Sequence, residues 1–130
     1  MRLLLWPDCP PDQHAREMRE SLGRPASAVF VAARPTAGLC GFLEAAIRPY
    51  AEGCQTSSVG YIEGWYVDAD VRQQGVGREL VRAAERWAGS QGFQEMASDT
   101  EVGNDESQKA HVALGYKETS RLVHFRKRLA

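Results

Sequence analysis

The pattern of apolar and polar positions divides the chain into strands followed by alternating helices and strands. Apolar stretches rich in aromatic and β-branched residues predict three strands, at 28–32, 39–47 and 59–67. Turn-forming residues at 34–38 predict that the first two strands form a hairpin. Before them, the charged stretch 12–23 predicts a short surface helix.

The second half of the chain begins with a strongly amphipathic segment. Val76, Leu80 and Ala84 recur at helical spacing, and charged side chains occupy the opposite face. This spacing predicts a helix that ends at the following glycines, of which Gly89 is the first. A short strand at 94–98 then lies parallel to the third strand if the crossover is right-handed.

A second helix and a last strand complete the pattern. Asn104 or Asp105 provides an N-cap for a helix that ends near Leu114, and residues 122–129 predict a final strand. Strands followed by one strand–helix–strand crossover indicate an α+β fold, with a mixed, mostly antiparallel central sheet flanked by helices.

Composition narrows the classes of function. The 130 residues suit a single domain over 1–130, and 43% hydrophobic residues suffice for a core. A net charge of -1 provides no basic field for nucleic acid, and no apolar run is long enough for a membrane span. Three scattered cysteines (Cys9, Cys40 and Cys54) have neither disulfide-framework nor metal-ligand spacing, so reduced thiols in a cytoplasm are expected and a metal is not.

The glycine turn before the first amphipathic helix is the first chemical signal. A helix start offers unpaired N–H groups and a positive dipole end, which suit an anionic phosphate. Gly75 and Gly77 allow close approach of the backbone, and Arg72 and Arg78 add positive charge. The alternative is an ordinary glycine turn, because the nucleotide-triphosphate and dinucleotide motifs are both missing.

The order of elements around this turn resembles the GCN5-related N-acetyltransferase superfamily. The resemblance runs from about residue 26 to the end and rests on a strand, R-x-x-G-x-G, an amphipathic helix, a short strand, an Asn-led helix and Leu114-Gly115-Tyr116. It implies acetyl-CoA as co-substrate, with the pantetheine arm between two splayed strands and the pyrophosphate on the turn amides. The implied cofactor-binding residues are Trp65, Tyr66, Val67, Arg72, Gln73, Gln74, Gly75, Val76, Gly77, Arg78 and Asn104.

Several shorter strings resemble the aminoglycoside 6'-N-acetyltransferases within that superfamily. They include Leu5-Trp6-Pro7, Arg48-Pro49-Tyr50, Ile62-Glu63-Gly64, Met96-Ala97-Ser98-Asp99-Thr100 and Leu114-Gly115-Tyr116-Lys117-Glu118-Thr119. The resemblance implies that an aminoglycoside site is lined by Trp6, Tyr50, Glu63 and Asp99. The chain departs from this branch at Ser120, where an acidic substrate contact is expected.

The local charge agrees with a cationic substrate. Five carboxylates and no basic residue lie between positions 95 and 106, and such a field concentrates polycations, although a solvated acidic loop is the alternative. Asp99 ends a parallel strand, where ligands bind, and Glu63 is an acid within an apolar strand. We expect Asp99, or Glu63 as second choice, to take the ammonium proton before direct attack in a ternary complex. His111 stands where the superfamily often places the tyrosine that protonates the thiolate, so its imidazole is the candidate acid. The alternative is a structural or merely CoA-adjacent histidine.

Two other readings of the chain remain. It is either an N-acetyltransferase for another small amine or a protein amine, or an acyl-CoA-binding module with impaired catalysis. The family's usual first strand is missing from this sequence, which would expose the edge of the next strand. We therefore expect a homodimer contact or the N-terminal segment to shield that edge.

Overall fold

The fold is built on a four-stranded mixed sheet. The computed structural model describes residues 26–35 and 38–130. The strands, in chain order, are β1 (Ser27–Ala33), β2 (Leu39–Arg48), β3 (Val59–Val67) and β4 (Met96–Ser98). They lie in the order β1-β2-β3-β4, with two antiparallel pairs and a parallel β3–β4 pair. The prediction of a mixed, mostly antiparallel sheet is confirmed.

The parallel pair requires a crossover, which a helix supplies. Helix α1 (Val76–Ser90) connects β3 to β4 and buries Leu80, Val81, Ala84 and Ala88. This spacing places one apolar stripe of the helix on the sheet. Gly60 of β3 allows the close approach, because a Cβ there would lie 3.0 Å from the Cβ of Ala88 and 2.5 Å from Sδ of Met96.

The core lies where the two central strands meet the helix. Its most buried large side chains are Leu43 of β2, Val59 of β3 and Val81 of α1, and Phe42 is also buried. β2 and β3 are the two inner strands of the sheet, and most of their residues are buried or half-buried. The rigid β2–β3 pair therefore provides the platform on which polar side chains of the site are held.

The chain forms two compact units. The first runs up to Asp99 and contains the sheet and α1, and the second is Thr100–Ala130. The second contains helix α2 (Asp105–Ala113), whose N-cap is Asn104, the first of the two N-caps that the sequence predicts. None of the helices in the described part of the chain is long and apolar enough to cross a membrane.

The prediction of a final strand at 122–129 is wrong. No strand is assigned there, and Leu122, Phe125 and Leu129 are 63%, 91% and 91% exposed. β-Branched and aromatic residues favour extended backbone, but a strand exists only when a neighbour completes its hydrogen bonds, and the described ranges provide none. The predicted helix at 12–23 and the missing first strand concern residues outside the described ranges.

Candidate functional site

Glu63 lies at an irregularity in the central strand pair. Glu44 of β2 pairs with Gly64 and the next residue, Ala45, pairs with Ile62, so Glu63 is the extra residue of a β-bulge. A bulge re-aims the side chain of the inserted residue, and bulges often occur beside functional sites. The Glu63 side chain is 32% exposed within a strand whose neighbours are mostly buried.

Asp99 follows the last residue of β4 and is held from β3. The Tyr61 hydroxyl donates a hydrogen bond of 2.5 Å to Oδ2 of Asp99. Tyr61 is only 8% exposed, and its burial, followed by the Asp99 carboxylate, raises the pKa of the phenol. The phenol therefore stays protonated and remains a donor to Asp99.

Arg48, at the end of β2, completes this cluster. Its Nε and Nη2 lie 2.8 Å and 2.6 Å from the two oxygens of Glu63, a bidentate ion pair. Its Cζ lies 3.5 Å from the centroid of the Tyr61 ring, which is cation–π geometry. The structure thus joins the predicted residues Glu63 and Asp99 through two residues that were not predicted, Tyr61 and Arg48.

The other predicted substrate residues lie on different segments. Tyr50 is in the β2–β3 loop, 63% exposed, and the charge of Glu52 raises the pKa of its phenol. Trp6 lies outside the described residues. The loop is fastened to the sheet by Glu95, whose Oε1 accepts hydrogen bonds from N–H of Gln55 and from N–H and Oγ1 of Thr56, at 2.9, 2.7 and 2.5 Å. Glu95 therefore has a structural role.

The predicted phosphate turn has the backbone shape that an anion site requires. Gln73 and Gly75 adopt positive φ of 64° and 86°, and the residue between them does not. Alternation of this kind makes successive N–H groups converge on one point. Gly75 is the N-cap of α1 and has no side chain that could cap the first N–H groups, an arrangement that suits an anionic ligand at the helix start.

The two turn glycines have different reasons to be glycine. Gly75 supplies the left-handed conformation at the cap. At Gly77, a Cβ would lie 3.1 Å from Cζ2 and 3.2 Å from Nε1 of Trp65. Gly77 therefore makes room for the indole that packs the end of β3 against α1, a role that differs from the close phosphate approach expected from the sequence.

A gap opens beside the end of β3. In the described chain, the parallel pairing with β4 stops at Ile62 and Ser98, whereas β3 continues to Val67. On the other side, Trp65 and Tyr66 remain paired to β2. A strand whose second edge is open can bond an extended ligand through its backbone, so the predicted residues 65–67 fit a pantetheine arm.

Charges around the turn are balanced by a residue on the first hairpin. Arg34 donates hydrogen bonds of 2.9 Å from Nη2 to Asp68 and from Nη1 and Nη2 to the two oxygens of Asp70. This contact lowers the pKa of the Asp70 carboxyl. Arg72, which opens the turn, donates from Nε to the carbonyl oxygen of Val67 at 2.9 Å. Arg34 therefore neutralises acids that directly precede the turn.

In the second unit, the two predicted residues belong to α2. The side chain of Asn104 accepts from N–H of Ser107 at 3.1 Å, and this capping role explains the residue by itself. His111 Nδ1 lies 2.7 Å from the carbonyl oxygen of Ser107, so Nδ1 carries a proton. In the neutral ring Nε2 then has none, and only the imidazolium could donate from Nε2.

The sequence contained a signal for Tyr61, which is two positions before Glu63, a spacing that in a regular strand places both side chains on one face. It contained none for Arg48, because the contact of Arg48 with Glu63 depends on the register between β2 and β3. Within residues 26–35 and 38–130, no group of three or more His, Cys, Asp or Glu side chains is placed to bind a metal ion.

Comparison with known proteins gives the family. The family model described as Acetyltransferase (GNAT) family matches residues 1–116. The aminoglycoside N(6')-acetyltransferase type 1 of Klebsiella aerogenes is 47% identical, over 99% of this chain and 87% of its own length. That of Serratia marcescens is 41% identical, over 99% and 89%.

Solved structures agree with this assignment. AAC(6')-Iy in complex with the bisubstrate analogue CoA-S-monomethyl-acetylneamine superposes with a TM-score of 0.92, at 42% identity over 98% of this chain and 87% of that one. AAC(6')-Ih from Acinetobacter baumannii gives 0.90, at 38% identity over 99% and 88%. The chain belongs to the GNAT family of acetyltransferases, in the branch of the aminoglycoside N(6')-acetyltransferases.

Proposed function

We propose that the protein transfers the acetyl group of acetyl-CoA to the 6'-amine of an aminoglycoside, by direct attack in a ternary complex. The observation that carries the proposal is the cluster in which Tyr61 and Arg48 hold the carboxylates of Asp99 and Glu63 at the end of the parallel strand pair. A polycationic substrate requires fixed acids, and the relatives with this fold are named for this reaction.

Acetyl-CoA is the acetyl donor. The first compact unit contains groups that suit the pyrophosphate and the pantetheine arm of this molecule. The turn amides of residues 73–78 and the guanidinium groups of Arg72 and Arg78 would bind the pyrophosphate. The open edge of β3 at Trp65, Tyr66 and Val67 would bind the pantetheine arm. Backbone N–H groups on that strand would polarise the thioester carbonyl. Asn104 is a further proposed contact.

The amine must lose a proton before it attacks. We assign this step to Asp99, directly or through a water, because its carboxylate is oriented by Tyr61 and stands at the strand end. Glu63 is the second candidate and is engaged on both oxygens by Arg48. Trp6, Tyr50, Glu63 and Asp99 would together bind the aminoglycoside.

The thiolate of CoA requires a proton when the thioester breaks. His111 can supply it only as the imidazolium, because its Nδ1 proton is directed to the Ser107 carbonyl. A His111→Gln variant with unchanged kcat at every pH would show that solvent protonates the thiolate instead.

The reaction is tested by thiol release from acetyl-CoA with a panel of acceptors. We expect turnover with a kanamycin-type drug that has a 6'-amine and none with its 6'-hydroxyl analogue. Equal activity with both drugs would contradict the position of transfer. Preference for spermidine or for a lysine peptide would identify a different N-acetyltransferase, and acetyl-CoA binding without any turnover would identify a binding module.

We also propose that the protein acts as a homodimer in the cytoplasm. β1 is an edge of the described sheet, which favours a partner strand along that edge. Cys40 and Cys54 are free thiols, as expected in a reducing compartment. Light scattering that shows a monodisperse monomer would contradict the dimer.

A further inference from the structure

One cation in the described part of the chain, Arg48, is paired with one carboxylate of the proposed amine site and interacts electrostatically with the other. Arg48 is paired with both oxygens of Glu63 and stacked on the ring whose hydroxyl holds Asp99. The ionisable groups that face Arg48 from the described elements are Glu63 and Tyr61 of β3 and Asp99 after β4. Two carboxylates and one guanidinium leave this cluster with one net negative charge.

The amount of negative charge at such a site has two opposing effects. A more negative site attracts a cationic substrate more strongly, which lowers the Kd. The same field stabilises the ammonium form of the bound amine, and an opposite charge within about 4–6 Å shifts a pKa by about one to three units. Because only the free amine attacks the thioester, an over-negative site would bind well and react slowly.

We propose that Arg48 is a charge-setting positioning residue, whose guanidinium leaves the amine site with one net negative charge so that a bound ammonium is attracted but still loses its proton. The inference rests on the proposed function for the identity of the amine site. Arg48 acts through Glu63 and Asp99 and need not touch the substrate. Its bidentate pair with Glu63 and its stacking on Tyr61 keep the charge in place although its side chain is 42% exposed.

The decisive measurement is the pH profile of Arg48→Gln beside Arg48→Lys. In Arg48→Gln we expect the KM for the aminoglycoside to fall about fivefold, the scale of a partly exposed ion pair. We expect kcat at pH 7 to fall. The acidic limb of the kcat profile should move to higher pH by about 0.7 units, which is the fivefold factor expressed as a change in the pKa of the bound amine. High pH should restore kcat.

Arg48→Lys separates charge from geometry, because it keeps the charge and loses the bidentate fork. Its acidic limb should stay at the wild-type position. Arg82→Gln, the same charge change on the exposed face of α1, should leave both parameters unchanged. The proposal would be overturned if Arg48→Gln raised the KM and left the acidic limb in place. It would also be overturned if Arg48→Lys behaved like Arg48→Gln.

If Arg48→Gln does not fold, as judged by its Tm and acetyl-CoA binding, Glu63→Gln provides the opposite change. It makes the site less negative, so the acidic limb should move to lower pH and the KM should rise. A limb that stays in place or moves to higher pH would overturn the proposal.

Failure of the proposed function gives a different result. A wild-type protein that acetylates no amine refutes that function, and Arg48 is then tested by calorimetry with the unreactive 6'-hydroxyl aminoglycoside. About fivefold tighter binding to Arg48→Gln than to the wild type would support the charge-setting role. Equal or weaker binding would overturn it.

Discussion

The phenolic oxygen of Tyr61 lies 2.5 Å from Oδ2 of Asp99, a hydrogen bond that joins the middle of β3 to the residue after β4. The bond spans the place where the parallel pair ends, and it restricts an exposed carboxylate by means of a buried ring. A general base must be held within hydrogen-bond reach of its proton, so this contact positions Asp99 for its proposed role.

Removal of the Tyr61 hydroxyl should therefore slow the reaction without disturbing the donor site. In Tyr61→Phe the ring remains beneath Arg48, but a hydrogen bond to a charged group, of about 1.5–3 kcal/mol, is lost. We expect kcat/KM for the amine to fall about tenfold or more. The Kd for acetyl-CoA, measured by calorimetry, should be unchanged, and an equal loss in both quantities would indicate a general structural defect.

Replacement of the proposed base should have a larger effect. Asp99→Asn keeps the shape of the side chain and removes the proton acceptor, so kcat should fall by a factor of about 10²–10⁴ at neutral pH. The measurement is a steady-state pH profile with saturating acetyl-CoA. A variant that keeps the wild-type kcat across pH would remove Asp99 as the base and leave Glu63.

Gly75 and Gly77, at the start of α1, should respond differently from Gly89, near the end of the helix. Gly75→Ala forces an alanine into the left-handed backbone conformation, at a cost of about 1–2 kcal/mol. Gly77→Ala places a Cβ against the indole of Trp65. Both should raise the KM for acetyl-CoA several-fold and lower the Tm. Gly89→Ala is the matched control, since a Cβ there meets nothing within 4 Å, and it should be neutral or stabilising. Identical behaviour of all three variants would contradict this distinction.

Arg34 should support the donor site through charge. Arg34→Gln leaves Asp68 and Asp70 uncompensated just before the phosphate turn, so the KM for acetyl-CoA should rise about two- to threefold at low salt. Added salt should remove the effect, because screening weakens interactions between exposed charges. Arg82→Gln makes the same change of charge and should not change the KM for acetyl-CoA. A salt-independent increase would show that the hairpin itself has moved.

Glu95 should make stability depend on pH. Bonds from the Thr56 hydroxyl and backbone N–H, and from Gln55 N–H, lower the pKa of its carboxyl from the ordinary 4.5. The native state then binds the proton more weakly than the unfolded state, so the stabilisation is present above that value and is lost as pH falls through the native pKa. Glu95→Gln should lower the Tm at pH 7, and this deficit should shrink as the pH falls below the ordinary carboxyl pKa of 4.5. Glu101→Gln, at an exposed carboxyl, is the control and should leave the Tm at pH 7 unchanged.

Most elements could be predicted because their signals are local. The strand at 59–67, the helix that begins at Val76 and the cap at Asn104 each follow from periodicity or from a capping residue, and the structure places them as predicted. The strand at 122–129 could not be judged in this way, because strand formation requires a partner and the pattern of one segment does not identify its neighbour.

In the candidate site, too, the features formed by contiguous residues could be predicted, and the contacts between distant residues could not. The sequence alone indicated the candidate anion-binding turn, because its glycines, arginines and helix start are contiguous, and it indicated Glu63 and Asp99 through resemblance and chemistry. Only the tertiary structure decided how the two acids are held, because Arg48, Tyr61 and Asp99 come from different strands and meet through sheet pairing and a β-bulge. The register of strands is a long-range property, so the charge balance of the site appears only once those strands are paired.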